Sequence, residues 1–156
     1  PGAMLEMLPQ LSDALSTAIG ADLSAQRTTL ESALTALDSE IKEIMSGFTC
    51  ELVSGHDELG YFADRYGCEV IGAIIPSFST TSEASAGELA DLKAEVETHG
   101  VPAIFTGIGT SPDVAEQLAA ELGVKTVTLS THFLDGAADY QEFMLRMVNQ
   151  IAEALG

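Results

Sequence analysis

The stretch S-G-H-D-E-L-G-Y-F-A-D-R-Y-G, residues 54–67, decides how this chain is read. A short apolar run before it, residues 50–54, has the length and composition of a buried strand. The run breaks at Gly55, and residues 57–66 follow with helical spacing. A strand that passes directly into a helix is the first half of a βα unit. His56 then falls where a strand's carboxyl end meets a helix's amino end, the position at which open α/β sheets present ligand-binding groups.

The same alternation repeats downstream. Strands are expected at residues 69–75, 102–106 and 125–129, with helices at 85–98, 112–122 and about 138–155. Ser85-Ala86-Gly87-Glu88 is a capping-box pattern, in which each side chain satisfies a backbone donor at the helix start. Ser111 can cap the next helix, and Pro112 suits its first position. Four βα units in a row predict an α/β fold with a four-stranded, mostly parallel sheet flanked by helices. Residues 77–83 read as a polar loop.

Upstream, residues 5–46 are helical by pattern. Leu11, Leu15 and Ile19 form one apolar stripe, and Gly20-Ala21-Asp22 interrupts it. A second helix runs over residues 24–46. Its Leu30, Leu34, Leu37, Ile41 and Ile44 recur at three- and four-residue steps, one buried face. This long spine helix precedes the first strand. An uncovered apolar stripe on it favours a homodimer. The expected organisation is therefore a helical segment, 5–46, and an α/β lobe, 47–156. Residues 1–4 are expected to be a cloning remnant.

Composition narrows the function. The chain has 156 residues, enough for one core. Six basic residues face 24 acidic ones, a net charge of −18. Nucleic acids and anionic lipid surfaces need basic patches, so no nucleic-acid partner is expected, whereas cations are favoured. No apolar run approaches the ~20 residues of a membrane span, and the first ten residues do not read as a secretory signal.

Two cysteines, Cys50 and Cys68, stand at the starts of the first two strands. In a parallel pair these starts are neighbours, about 5 Å apart, so a disulfide is geometrically allowed. The other reading is two buried thiols. Either way they lie at the sheet end opposite His56, and they are too few for a thiolate zinc site.

The candidate ligands are histidines. His56 alone reads more readily as a helix-start histidine satisfied by a backbone group than as a ligand. His132 follows the fourth strand and also projects from the sheet's carboxyl end, and Asp135 adds a carboxylate three residues on. Imidazole with carboxylate is a first-row-metal ligand set. His99 ends a helix at the other edge and reads as a surface residue. Gly107-Ile108-Gly109 fits neither the dinucleotide fingerprint nor the P-loop. It reads as a close backbone passage. Without a nucleophile elbow, and with the cysteines at the wrong end, no catalysis is expected.

From about residue 11 to 155, the chain resembles the carboxyl-terminal part of the zinc- and manganese-binding proteins of bacterial ABC importers. The run from Ser54 to Gly67 is similar to that family's T-H-D-A-F-G-Y-F segment, which puts His56 at a ligand position five residues before Tyr61. Residues 82–92, 101–105 and 111–123 follow the family pattern, as does the closing segment from Tyr140 to Leu155. Thr131-His132-Phe133-Leu134 stands where the family has a T-D-S-L-like turn, so His132 replaces an aspartate. A one-turn adjustment offers Asp135 instead. Met147 stands where the family often has Asn, and residues 107–110 depart from its usual acidic or amide-bearing turn.

The resemblance implies a metal receptor, periplasmic or a surface lipoprotein, that delivers zinc, or alternatively manganese, to an ABC transporter permease. It also implies a missing amino-terminal lobe carrying the other ligands, so that metal is bound weakly here. The alternative from the residues alone is an α/β interaction domain whose histidines are structural.

Overall fold

A computed structural model of the protein describes residues 1–75, 85–107 and 111–156. The chain divides into two compact units, Pro1–Glu43 and Ile44–Gly156. The first holds helix α1 (Gly2–Ile19) and most of helix α2 (Ser24–Met45). Helix α1 starts at Gly2 and so takes in residues 2–4, which the sequence pattern had left outside it. Its Met7, Leu11, Leu15 and Ile19 are exposed, whereas Leu34, Leu37 and Ile41 of α2 are buried. Asp38, also buried, accepts from Lys42 one turn on, at 2.9 Å.

The second unit alternates β1 (Glu51–His56), α3 (Gly60–Tyr66), β2 (Glu69–Ile75), α4 (Ala86–His99), β3 (Ala103–Thr106), α5 (Pro112–Leu122), β4 (Lys125–Thr128) and α6 (Tyr140–Leu155). The strands pair in the order β2-β1-β3-β4, and every pairing is parallel. Right-handed crossovers then put α4 and α5 on one face and α3 on the other. The core against α4 and α5 is Val53, Ile74, Leu92, Val96, Ile104 and Leu118 with their neighbours. At Gly72 a Cβ would stand 2.6 Å from Leu92 Cδ1, so any larger residue there would force the buried Leu92 side chain of α4 to shift.

β1 is longer at its carboxyl end than the sequence pattern suggests. Gly55 does not break it: His56 still pairs with Ile75, and both Gly55 and His56 are buried. In a strand flanked by neighbours on both sides, ladder bonds outweigh the entropic cost of one glycine. Helix α3 consequently starts at Gly60 rather than at residue 57, and Asp57, Glu58 and Leu59 form the connection. The capping box of α4 is formed: Ser85 Oγ accepts from Glu88 N at 3.2 Å, and Glu88 Oε2 accepts from Ser85 N at 2.8 Å. These bonds hold the Glu88 carboxyl below its usual range. Ser111 sits at the amino cap of α5 ahead of Pro112, but its hydroxyl makes no cap bond. The polar loop expected at 77–83 lies outside the described residues, as do residues 108–110 of the glycine run.

Cys50 and Cys68 are joined by a disulfide, with their Cα atoms 4.6 Å apart. The bridge ties the amino ends of β1 and β2, next to the bond from Glu69 N to Cys50 O at 2.8 Å.

Candidate metal centre

His56 is the last residue of β1 and is only 5% exposed. Its carbonyl is held twice, by Ser54 Oγ at 2.5 Å and by the Glu58 amide at 2.8 Å. The second bond turns the chain sharply at the end of the strand. It carries Glu58 across the sheet's carboxyl edge, past β3, towards the segment after β4.

There the Glu58 carboxylate meets Thr131 and His132. Thr131 Oγ1 donates to Glu58 Oε2 at 2.8 Å. The same hydroxyl is 2.8 Å from His132 Nδ1, and that nitrogen is 3.7 Å from Glu58 Oε2. The Glu58 side chain is 17% exposed and that of His132 49%. The carboxylate is therefore largely shielded while the imidazole faces solvent. Gly107, the residue after β3, makes the crossing possible. A Cβ there would lie 2.8 Å from Glu58 Oε1.

Asp135 lies elsewhere on the same segment. It adopts a left-handed conformation, φ 46°, followed by Gly136 at φ 77°, a region that Asp tolerates better than most residues. Its carbonyl accepts from Arg146 at 3.4 Å, and Arg146 also pairs with Glu142 on α6. Glu142 accepts from the Ala138 amide at 2.8 Å, and this bond, reinforced by Arg146, keeps its carboxyl below the usual range. Asp139 caps the helix by accepting from Glu142 N at 2.9 Å. The turn is thus pinned to α6, and Asp135 lines a groove of about 590 Å³ beside Leu129, Phe143 and Met147. Neither His56 nor His132 lines that groove.

The sheet order explains this arrangement. β3 stands between β1 and β4, so the two strand ends are about 10 Å apart at ~5 Å per strand. Among the described residues, no three His, Cys, Asp or Glu side chains gather closely enough to hold a metal ion. His56, His132 and Asp135 therefore do not form one cluster in this unit. Glu58 is the side chain brought against His132. The sequence pattern assigned Glu58 to a helix start and gave no sign of this contact, which joins residues 73 positions apart. His99 stays apart at the amino edge, 3.2 Å from Glu51 Oε1. Its pKa is raised, chiefly by that bond to Glu51, with the charges of Glu51, Glu69 and Glu95 adding to it.

Comparison with known proteins agrees with the fold. The curated high-affinity zinc uptake system protein ZnuA of Bacillus subtilis is 37% identical over 81 residues, covering 52% of this chain and 25% of that protein. The zinc-binding protein TroA of Treponema pallidum is 39% identical over 75 residues, 46% of this chain and 24% of its own length. Among solved structures, the Zn(II)-bound form of an AdcAII variant from Streptococcus pneumoniae superposes with a TM-score of 0.82 at 25% identity, covering 97% of this chain and 57% of that one. A Mn-bound periplasmic metal-binding protein of Candidatus Liberibacter asiaticus has the same fold, with a TM-score of 0.83 at 16% identity over 97% of this chain and 60% of its own. The chain thus spans about a quarter of the curated relatives it matches, and somewhat more than half of these structures. The family model described as zinc-uptake complex component A, periplasmic, matches residues 1–154, and the chain belongs to that family.

Proposed function

We propose that this chain is the carboxyl-terminal lobe of an extracytoplasmic metal receptor that delivers zinc to an ABC importer and catalyses no reaction. The observation that carries the reading is the pairing of His132 with a shielded carboxylate, Glu58, at the carboxyl edge of a sheet whose first strand ends in His56. The family match over residues 1–154 supports it. His56 and His132 are the lobe's share of the site. His132 is favoured over Asp135 because it lies beside Glu58, whereas Asp135 is bound into the turn against α6. Imidazole nitrogen suits zinc better than manganese, so zinc is the preferred cargo and manganese the alternative.

An amino-terminal lobe supplies the remaining ligands, and a permease receives the metal. The receptor works in the periplasm or at the cell surface as a lipoprotein. With two protein ligands, the chain alone binds zinc weakly, since tight sites hold several ligands on one frame. The alternative, an α/β interaction domain with structural histidines, draws on the burial of His56. Zinc titration of the chain and its His56→Ala and His132→Ala variants separates the two. Weakened binding in both variants supports the receptor. Identical binding in all three proteins rules out these two residues as its ligands.

A further inference from the structure

The hydrogen inventory at Thr131 decides which nitrogen of His132 is available. A threonine hydroxyl has one hydrogen to donate and two lone pairs to accept with. Thr131 spends its hydrogen on Glu58 Oε2, at 2.8 Å, because a carboxylate can only accept. Its contact with His132 Nδ1, also 2.8 Å, then runs the other way: the imidazole donates and the hydroxyl accepts. In the neutral ring only one nitrogen carries a hydrogen. With it on Nδ1, the lone pair is on Nε2.

We propose that Glu58 and Thr131 are positioning residues: they hold His132 as the Nδ1–H tautomer and leave Nε2 as the nitrogen that takes a zinc ion. The chain of bonds is His132 Nδ1–H to Thr131 Oγ1, and Thr131 Oγ1–H to Glu58 Oε2. Metal-binding histidines characteristically donate their second N–H to such a partner, which fixes the ring and raises its basicity. Here the carboxylate acts through an intervening hydroxyl. Gly107 is part of the device, since any Cβ at that position would compete with Glu58 Oε1 for space. The zinc clause rests on the receptor reading above. The tautomer does not.

The test has two arms. Long-range ¹H–¹⁵N NMR of the metal-free chain at about pH 8, where an ordinary imidazole is neutral, reads the tautomer of each histidine. His132 should show a protonated Nδ1. Glu58→Ala frees the Thr131 hydrogen for Nδ1 and should move the ring hydrogen to Nε2. Glu58→Gln keeps a carbonyl acceptor for Thr131 and should preserve the wild-type tautomer. The amide spectra of the same samples report folding. A wild-type His132 protonated at Nε2, or an unchanged tautomer in Glu58→Ala, overturns the proposal.

The second arm is titration with zinc alone. Glu58→Ala should weaken binding by about 10- to 100-fold, the usual effect of removing such a partner, and Glu58→Gln should restore most of it. Equal loss in both variants, with the Glu58→Gln tautomer intact, would make Glu58 a ligand itself and overturn the positioning role. If the tautomers behave as expected but wild type takes up no zinc, the receptor reading fails and the zinc clause with it.

Discussion

Glu58 Oε1 and the missing side chain of Gly107 compete for one space: a Cβ at residue 107 would stand 2.8 Å from that oxygen. The carboxylate that meets His132 therefore depends on a glycine from a different βα unit.

Gly107→Ala should push the Glu58 carboxylate away from Thr131. The displaced group is the end of a flexible side chain, and the other neighbours of the new methyl, Leu129 O and Thr131 Oγ1, lie at 3.5 Å. Stability should therefore change by less than about 1 kcal/mol, while zinc affinity falls about tenfold. Urea unfolding and zinc titration of one preparation measure both. A large stability loss would mean that the backbone at Gly107, not the carboxylate, had moved.

The two histidines should separate in their effect on folding. His56 is 5% exposed at the end of a central strand, so His56→Ala removes packed atoms and should cost about 1–3 kcal/mol. The His132 side chain is 49% exposed, and His132→Ala should stay within about 0.5 kcal/mol. Denaturant midpoints at constant slope provide the comparison. Equal destabilisation would contradict the burial difference.

Opening the Cys50–Cys68 bridge should destabilise the second unit. The two residues are 18 positions apart, a loop whose closure contributes about 3 kcal/mol. Thermal melts with and without reductant, together with a Cys50→Ala/Cys68→Ala double variant, test this. An unchanged melting temperature would show that the bridge adds nothing to the ladder beside it. Disulfides persist in oxidising compartments, which suits an extracytoplasmic receptor.

His99 should give stability a pH dependence. Its pKa is raised in the folded chain, first by the bond to Glu51, so its contribution is fully present below the ordinary imidazole value of 6.5. That contribution is lost as pH rises through the higher folded value. His99→Gln should remove this part of the profile. The measurement is unfolding free energy across the neutral range for both proteins; superimposable profiles would refute the assignment. The group is partly exposed, so the effect should be small and weaker in high salt.

The amino-acid sequence by itself determined the local elements. Alternating apolar runs and capped helices specified four βα units, and the Ser85–Glu88 box marked the start of α4 because capping depends on residues three positions apart. The end of β1 was not legible in this way. Gly55 looks like a break locally, but His56 pairs with Ile75, and only the neighbouring strand keeps the chain extended there. The strands' order was likewise set by tertiary packing. That order puts β3 between the strand that ends in His56 and the strand that leads to His132. It also lets Glu58 reach across Gly107 to Thr131, 73 positions away. No periodicity encodes such a contact, because it depends on where three separate strands end and on the space left by one absent side chain. The sequence supplied the imidazoles. The tertiary structure decided which carboxylate faces His132, and through Thr131 which of its nitrogens carries the hydrogen.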